Sequence, residues 1–226
     1  MYKRSKNAKH SIKDHGFVYD VKNGRANYSI IYNTWRKMAE RTTRPDYQAK
    51  KPTYKDTWVC EEWKYFSNFL NWSLANGYRK GLQLDKDIIN INNKCYSPDT
   101  CVFVSSAINN LLTYKQSTNS NLPIGVAYRE FNGQGYKQKK PYIVQFAING
   151  KNKSFGYYAT AQEAGLEYGR AKSKHIIDKA KTLSEKDCAK CHIDIVKRAL
   201  YLHANHLKQE TEAKYGKFAQ QLIFGI

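Results

Sequence analysis

The apolar residues of this 226-residue chain change their spacing once, and that change constrains the fold more than any other feature. Up to about residue 112 they recur every three or four positions, as in Ile31, Trp35 and Met38, or Trp63, Phe66, Phe69-Leu70 and Leu74. Such spacing lays an apolar stripe along one side of a helix. After a polar run over residues 116–121 and Pro123, the period becomes two over residues 125–131, 141–149 and 153–158. Alternation of that kind belongs to strands with one buried face. The two periods together predict an α+β chain in two small domains joined by a linker.

The punctuation residues sharpen this division. In the first half, helices are expected over 30–41 and 62–75, the second ended by Asn76-Gly77. A loop with two prolines is expected over 44–52, and short strands over 57–60, 82–84 and 101–104. Ser105 can cap a helix carrying Ile108, Leu111 and Leu112. In the second half, Asn149-Gly150 is a tight-turn signal between two strands. Thr160-Ala-Gln-Glu163 is a capping box opening a helix with Ala164, Leu166, Tyr168 and Ala171. Residues 184–215 read as helix and 218–226 as an apolar tail. The expected divisions are 1–29, a basic arm with one short strand near Phe17-Val18-Tyr19; 30–115; 116–123, the linker; 124–180; and 181–226, a helical extension.

Charge narrows the partner. Lys plus Arg number 38 against 19 Asp plus Glu, a formal net charge of +19. With 41% hydrophobic residues the chain can bury a core, so a wholly disordered basic tail is excluded. The surplus points to a polyanion, nucleic acid first. The 18 Tyr fit that partner, since rings stack or pack while cations meet phosphate. No apolar run approaches the ~20 residues of a membrane span, and no apolar segment follows the basic N-terminus, so neither a membrane location nor a secretory leader is expected. Five Cys, an odd number, argues for reduced thiols in a cytoplasm.

Residues 124–174 resemble the AP2 DNA-binding domain family. The likeness rests on Gly125-Val126, the strand Tyr142-Ile-Val-Gln-Phe-Ala-Ile148, Gly150-Lys151, Phe155-Gly156-Tyr157, Thr160-Ala-Gln-Glu-Ala164 and Tyr168-Gly-Arg-Ala-Lys172. It implies a three-stranded sheet, packed on a helix, that enters the major groove of double-stranded DNA. Arg129, Lys137, Lys139, Lys140, Lys151 and Lys153 are then the phosphate contacts, with Gln145 and Asn152 as base readers. Ile124, Ala127, Ala147 and Ser154 fall where plant members read bases with Arg and Trp, so the binding expected is sequence-tolerant.

Residues 35–112 resemble phage-encoded HNH-type (ββα-metal) endonucleases, many of them homing enzymes. The matching segments are Trp35-Arg-Lys-Met38, Cys60-Glu-Glu-Trp63, Leu84-Asp85-Lys86-Asp87 and Ser97-Pro-Asp-Thr-Cys-Val-Phe-Val104. That likeness implies one divalent ion, Mg²⁺ or Mn²⁺, on Asp85 and Asn109, and a host-cell cytoplasmic location for a phage product. Lys86 stands where active members have a general-base His, and Thr100, with Asn93 nearby, where they often have Asn. Between two carboxylates a Lys stays protonated, so Lys86 suits phosphate better than proton abstraction, and Asp87 or a metal-bound water is the alternative base. Two functions therefore stay open: a metal-dependent DNA nickase or nuclease, and a DNA-binding or regulatory scaffold without hydrolysis.

Other motifs carry less. Cys188-Ala-Lys-Cys191-His192 matches a haem-attachment pattern, but in a Lys-rich helix without an export signal. Cys188, Cys191, His203 and His206 approximate a zinc spacing, yet on an unbroken helix Cys191 and His203 stand about 18 Å apart. Zinc is therefore not expected. Cys60, Cys95 and Cys101 read as buried small apolar residues, and His10 and His15 as surface residues. The apolar tail leaves room for a protein partner or self-association.

Overall fold

Burial of Ile31, Trp35 and Met38 is what holds α1 (Ile30–Thr43) to its neighbours, and Ser29 starts it by accepting the Tyr32 N–H at 3.1 Å. The computed structural model in which this is seen describes residues 19–22, 25–113 and 121–224, with side chains over 29–113 and 121–216. The chain forms two units. One runs to Asn109 and takes in Leu183–Val196; the other comprises Asn110–Thr182 and the chain from Lys197. Both helices and strands occur in each, so the α+β class holds. The linker expected over 116–123 lies largely outside the described residues.

The first unit begins with β1 (Tyr19–Lys22) and β2 (Arg25–Tyr28), an antiparallel hairpin where one strand was expected. The expected loop over 44–52 is instead α2 (Pro45–Lys50) followed by a 3-10 turn, Pro52–Tyr54. Both prolines sit at first helical positions, where the missing N–H has no partner to lose. After β3 (Trp58–Val59) the helix expected over 62–75 comes in two pieces, a 3-10 turn at Glu62–Lys64 and α3 (Phe66–Ala75). The Trp63 carbonyl at this break accepts the Trp35 indole N–H at 2.7 Å. Then come β4 (Leu82–Asp85), β5 (Cys95–Tyr96), β6 (Val102–Ser105) and α4 (Ser106–Leu111). β3 pairs with β5 in parallel, and β4 with β6 antiparallel, Asp85 opposite Val102. Trp35, Trp63, Phe66, Phe69, Tyr96 and Phe103 fill the core between them; each buried aromatic contributes about 2 kcal/mol or more.

Residues 184–192 are not the start of a continuous helix. They lie along the second edge of β6: Ser105 N–H donates to the Asp187 carbonyl at 2.6 Å and Ala189 N–H to the Phe103 carbonyl at 3.1 Å. An edge strand with open N–H and C=O groups is a template for such pairing, and Ala189 completes the core. This is why part of the expected C-terminal extension belongs to the first unit. After a 3-10 turn, Lys190–His192, the helix starts late, as α6 (Ile193–Phe224).

The second unit is a three-stranded antiparallel sheet, β7 (Val126–Tyr128), β8 (Tyr142–Ile148) and β9 (Lys151–Tyr158), with β8 central and α5 (Ala161–Lys181) against it. Asn149 and Gly150 take φ of 52° and 75°, the left-handed pair that a tight β-hairpin turn requires. The capping box forms: Thr160 Oγ1 accepts the Glu163 N–H at 3.2 Å, and the Glu163 carboxylate accepts the Thr160 N–H at 3.3 Å. Val126, Val144, Phe146, Ala164 and Tyr168 make the core. Farther along α5, Gly169 lies against Thr211; a Cβ there would stand 1.9 Å from the Thr211 hydroxyl, so only glycine admits this approach.

Candidate functional site

The antiparallel pair β4–β6 followed by α4 places Asp85 and Asn109 on related surfaces. Alternation along β4 buries Leu84 and turns Gln83 and Asp85 to the other face. Asn109 Nδ2 donates to Gln83 Oε1 at 2.8 Å, so the helix residue sits over that same face. The Asp85 carboxylate, however, serves the turn. Its Oδ1 accepts the N–H groups of Asp87 at 2.7 Å and Ile88 at 2.9 Å, and burial raises its pKa.

Lys86 is not presented to a substrate. It is 4% exposed; its Nζ donates to the Asp87 carboxylate and to the Asn93 carbonyl at 2.6 Å, with the Tyr96 ring 5.8 Å away. Asn93 closes the knot, its amide donating to the carbonyls of Lys86 at 2.7 Å and Cys95 at 2.6 Å. Thr100 is likewise committed, its hydroxyl donating to the Cys95 carbonyl at 2.8 Å. Lys86 as a phosphate contact is therefore corrected: its ammonium is spent inside the loop between β4 and β5. Asp87 is half exposed but paired with it. Around this knot the structure adds groups that sequence spacing could not reveal. The Arg41 guanidinium lies 5.1 Å over the Tyr54 ring and donates to the Tyr96 hydroxyl at 3.4 Å. Burial pushes both phenols up, so they stay neutral.

Asp85 and Asn109 offer one carboxylate and one amide. Among the described residues no group of three or more His, Cys, Asp or Glu could hold a metal ion. Of the two ligands that the ββα resemblance implies, the Asp85 carboxylate is engaged by the turn and the Asn109 amide by Gln83. Cys188 is buried and Cys191 exposed, while α6 runs unbroken from Ile193 through His203 and His206, without the break a zinc site needs. Cys101 is buried, whereas Cys60 and Cys95 are only partly so; burial raises the pKa of all three thiols. His10 and His15 lie outside the described residues, as do the side chains of the 218–226 tail.

In the second unit, register sorts the DNA-contact candidates by face. Gln145 pairs with Ser154 and Ala147 with Asn152, which sets these four on the face away from α5. Phe146 pairs with Lys153 and Ile148 with Lys151, so both lysines belong to the helix-side face, on the edge strand β9. Their neighbours agree: Phe146 stacks on Phe155 at 4.1 Å, and Lys153 is one of the cations that help depress the pKa of His175, after burial and Lys172. Lys151 and Lys153 thus flank the sheet rather than stand on its open face.

The remaining candidates lie on the connection from β7 to β8. Arg129, Lys137, Lys139 and Lys140 are all exposed there, against one carboxylate, Glu130, which pairs with Lys137 at 3.3 Å. This hairpin also displays Tyr128, Phe131 and Tyr136, which were not among the candidates. Their signal in the sequence was aromatic and basic residues interleaved over 128–140.

No family model, no curated protein and no solved structure matches this chain.

Proposed function

We propose that this is a DNA-binding protein in which the second unit grips the phosphate backbone with little sequence preference and the ββα element of the first serves as scaffold without hydrolysis. The observation that carries this reading is the contrast in cation placement. Arg129, Lys139 and Lys140 are exposed, while the Lys86 ammonium is buried and paired. Exposed, unpaired cations release counterions from DNA, and a buried pair cannot. The three-stranded sheet with its capped helix supports the AP2-type resemblance, and Gln145, Asn152 and Ser154 on the open face are neutral hydrogen-bonding groups suited to weak groove readout. The strand, strand and helix of β4, β6 and α4 support the HNH-type resemblance as a scaffold.

The test is a supercoiled plasmid incubated with full-length protein in a Mg²⁺ and Mn²⁺ series. The reading expects a salt-sensitive gel shift with the plasmid left intact. Metal-dependent nicking that disappears in Asp85→Ala and Asn109→Ala proteins would return the first unit to catalysis. Absence of any shift at low salt would remove the DNA-binding reading itself.

A further inference from the structure

The hairpin joining β7 to β8 holds its shape without burying its rings. Phe131 is 54% exposed and Tyr136 70% exposed. The backbone beneath them is nonetheless tied at several points. Phe131 bridges to Lys137. The Asn132 side chain accepts the N–H groups of Gln134 and Tyr136, each at 2.9 Å. The Asn132 backbone N–H donates to the Tyr136 carbonyl at 2.9 Å. The Gln138 amide donates to the Arg129 carbonyl at 3.0 Å and the Phe131 carbonyl at 3.3 Å. An ordered loop that displays two aromatic rings to water presents a ligand surface more readily than a fragment of core.

The surroundings select the ligand. Arg129, Lys139 and Lys140 are exposed on the same connection, and the one carboxylate, Glu130, is occupied by Lys137. The matching partner must offer flat apolar faces and regularly spaced negative charge at once. In an intact duplex the base faces are stacked on each other; in unpaired DNA they are open. We propose that the 129–140 hairpin is a stacking site for unpaired DNA bases, with Phe131 and Tyr136 receiving base faces while Arg129, Lys139 and Lys140 hold the flanking phosphates. This rests on the DNA-binding reading and narrows it: the preferred substrate is DNA with a single-stranded or opened segment.

Fluorescence anisotropy of the full chain, at one ionic strength, on a labelled single strand and on the same strand in a duplex, tests the site. Replacing both rings by leucine, in the Phe131→Leu/Tyr136→Leu variant, keeps apolar bulk and removes the aromatic faces. The expected result is a loss of about tenfold in single-strand affinity, with duplex affinity nearly unchanged. Both rings are exposed, so the melting temperature stays at the wild-type value; should the double variant not fold, Tyr136→Leu alone carries the measurement. A variant that binds the single strand as tightly as wild type, or that loses both substrates equally, overturns the stacking site while DNA binding stands. A wild-type chain that binds neither substrate overturns both.

Discussion

Two loops in this chain carry lysines next to carboxylates and aromatic rings, and they put them to opposite uses. In the 85–96 segment Lys86 is inside: it is paired with Asp87, bonded to the Asn93 carbonyl and faced by Tyr96. In the 129–140 hairpin the cations and rings are outside, on a loop whose backbone is fixed by Asn132 and Gln138. The same side-chain types give internal cohesion where they are desolvated and matched in number. They give a binding surface where they are solvated and in excess. Buried, a charge is stabilising only while its partner remains; exposed, it is available to a polyanion at little conformational cost.

The largest expected effect falls on the exposed side. Arg129→Ala/Lys139→Ala/Lys140→Ala should weaken DNA binding about 100-fold at low salt, about 2.7 kcal/mol. It should also reduce the slope of log affinity against log salt by roughly three, with the melting temperature unchanged. Anisotropy titrations at several salt concentrations check this; an unaltered slope would place the binding surface elsewhere. The converse change is Lys86→Met. It strands the Asn93 carbonyl and removes the ion pair, so it should cost about 2 kcal/mol of stability in a denaturant melt. DNA affinity of the folded fraction should not move. If Lys86→Met weakened binding at full stability, the two loops would not differ as described.

The sequence disclosed these two regions unequally. Short-range signals were legible: the stripe of Ile31, Trp35 and Met38, the turn at Asn149-Gly150 and the box at Thr160 each depend on neighbours within a few residues. The pairing of residues 187–189 with β6 was not, because it joins positions far apart in the chain through backbone groups that every residue carries. Nor was the interior placement of Lys86, which depends on Asn93, Tyr96 and the turn between them. The face that Lys151 and Lys153 take was not legible either, since a strand's facing follows from register and register is set by its partner. The hairpin rings were visible as letters, yet exposure is a property of packing and had no mark in the spacing.

Helix caps allow a finer comparison between the units. Ser29 supplies one side-chain acceptor to α1, whereas Thr160 and Glu163 satisfy donors reciprocally at the start of α5. Ser29→Ala should therefore cost about 0.5 kcal/mol and the double replacement Thr160→Ala/Glu163→Ala, which removes both halves of the box, about 1 kcal/mol. Paired denaturant melts measure the difference; equal losses would mean that the Glu163 half of the box adds nothing.

The smallest effect is also the one that separates burial from charge. His192, in the first unit, is depressed by burial alone: it stacks on Trp72 at 6.5 Å, and its Nδ1 has no partner among the described residues. His175, in the second, is depressed by burial first, then by Lys172, Lys179 and Lys153, with Asp178 opposing. A histidine whose folded pKa lies below the ordinary 6.5 binds its proton more readily when unfolded. Neither group affects stability well above 6.5; both reduce it as pH falls below that value. Melting temperatures at pH 7.5 and 5.0 should fall accordingly, and His192→Phe or His175→Gln should each flatten the decline. Raising the salt concentration should shrink the His175 share, because its cationic neighbours are screened, and leave the His192 share in place, because desolvation is not. An equal response of both shares to salt would mean that the lysines around Phe146 do not act on His175, and that the helix-side face of the sheet is less basic than its register implies.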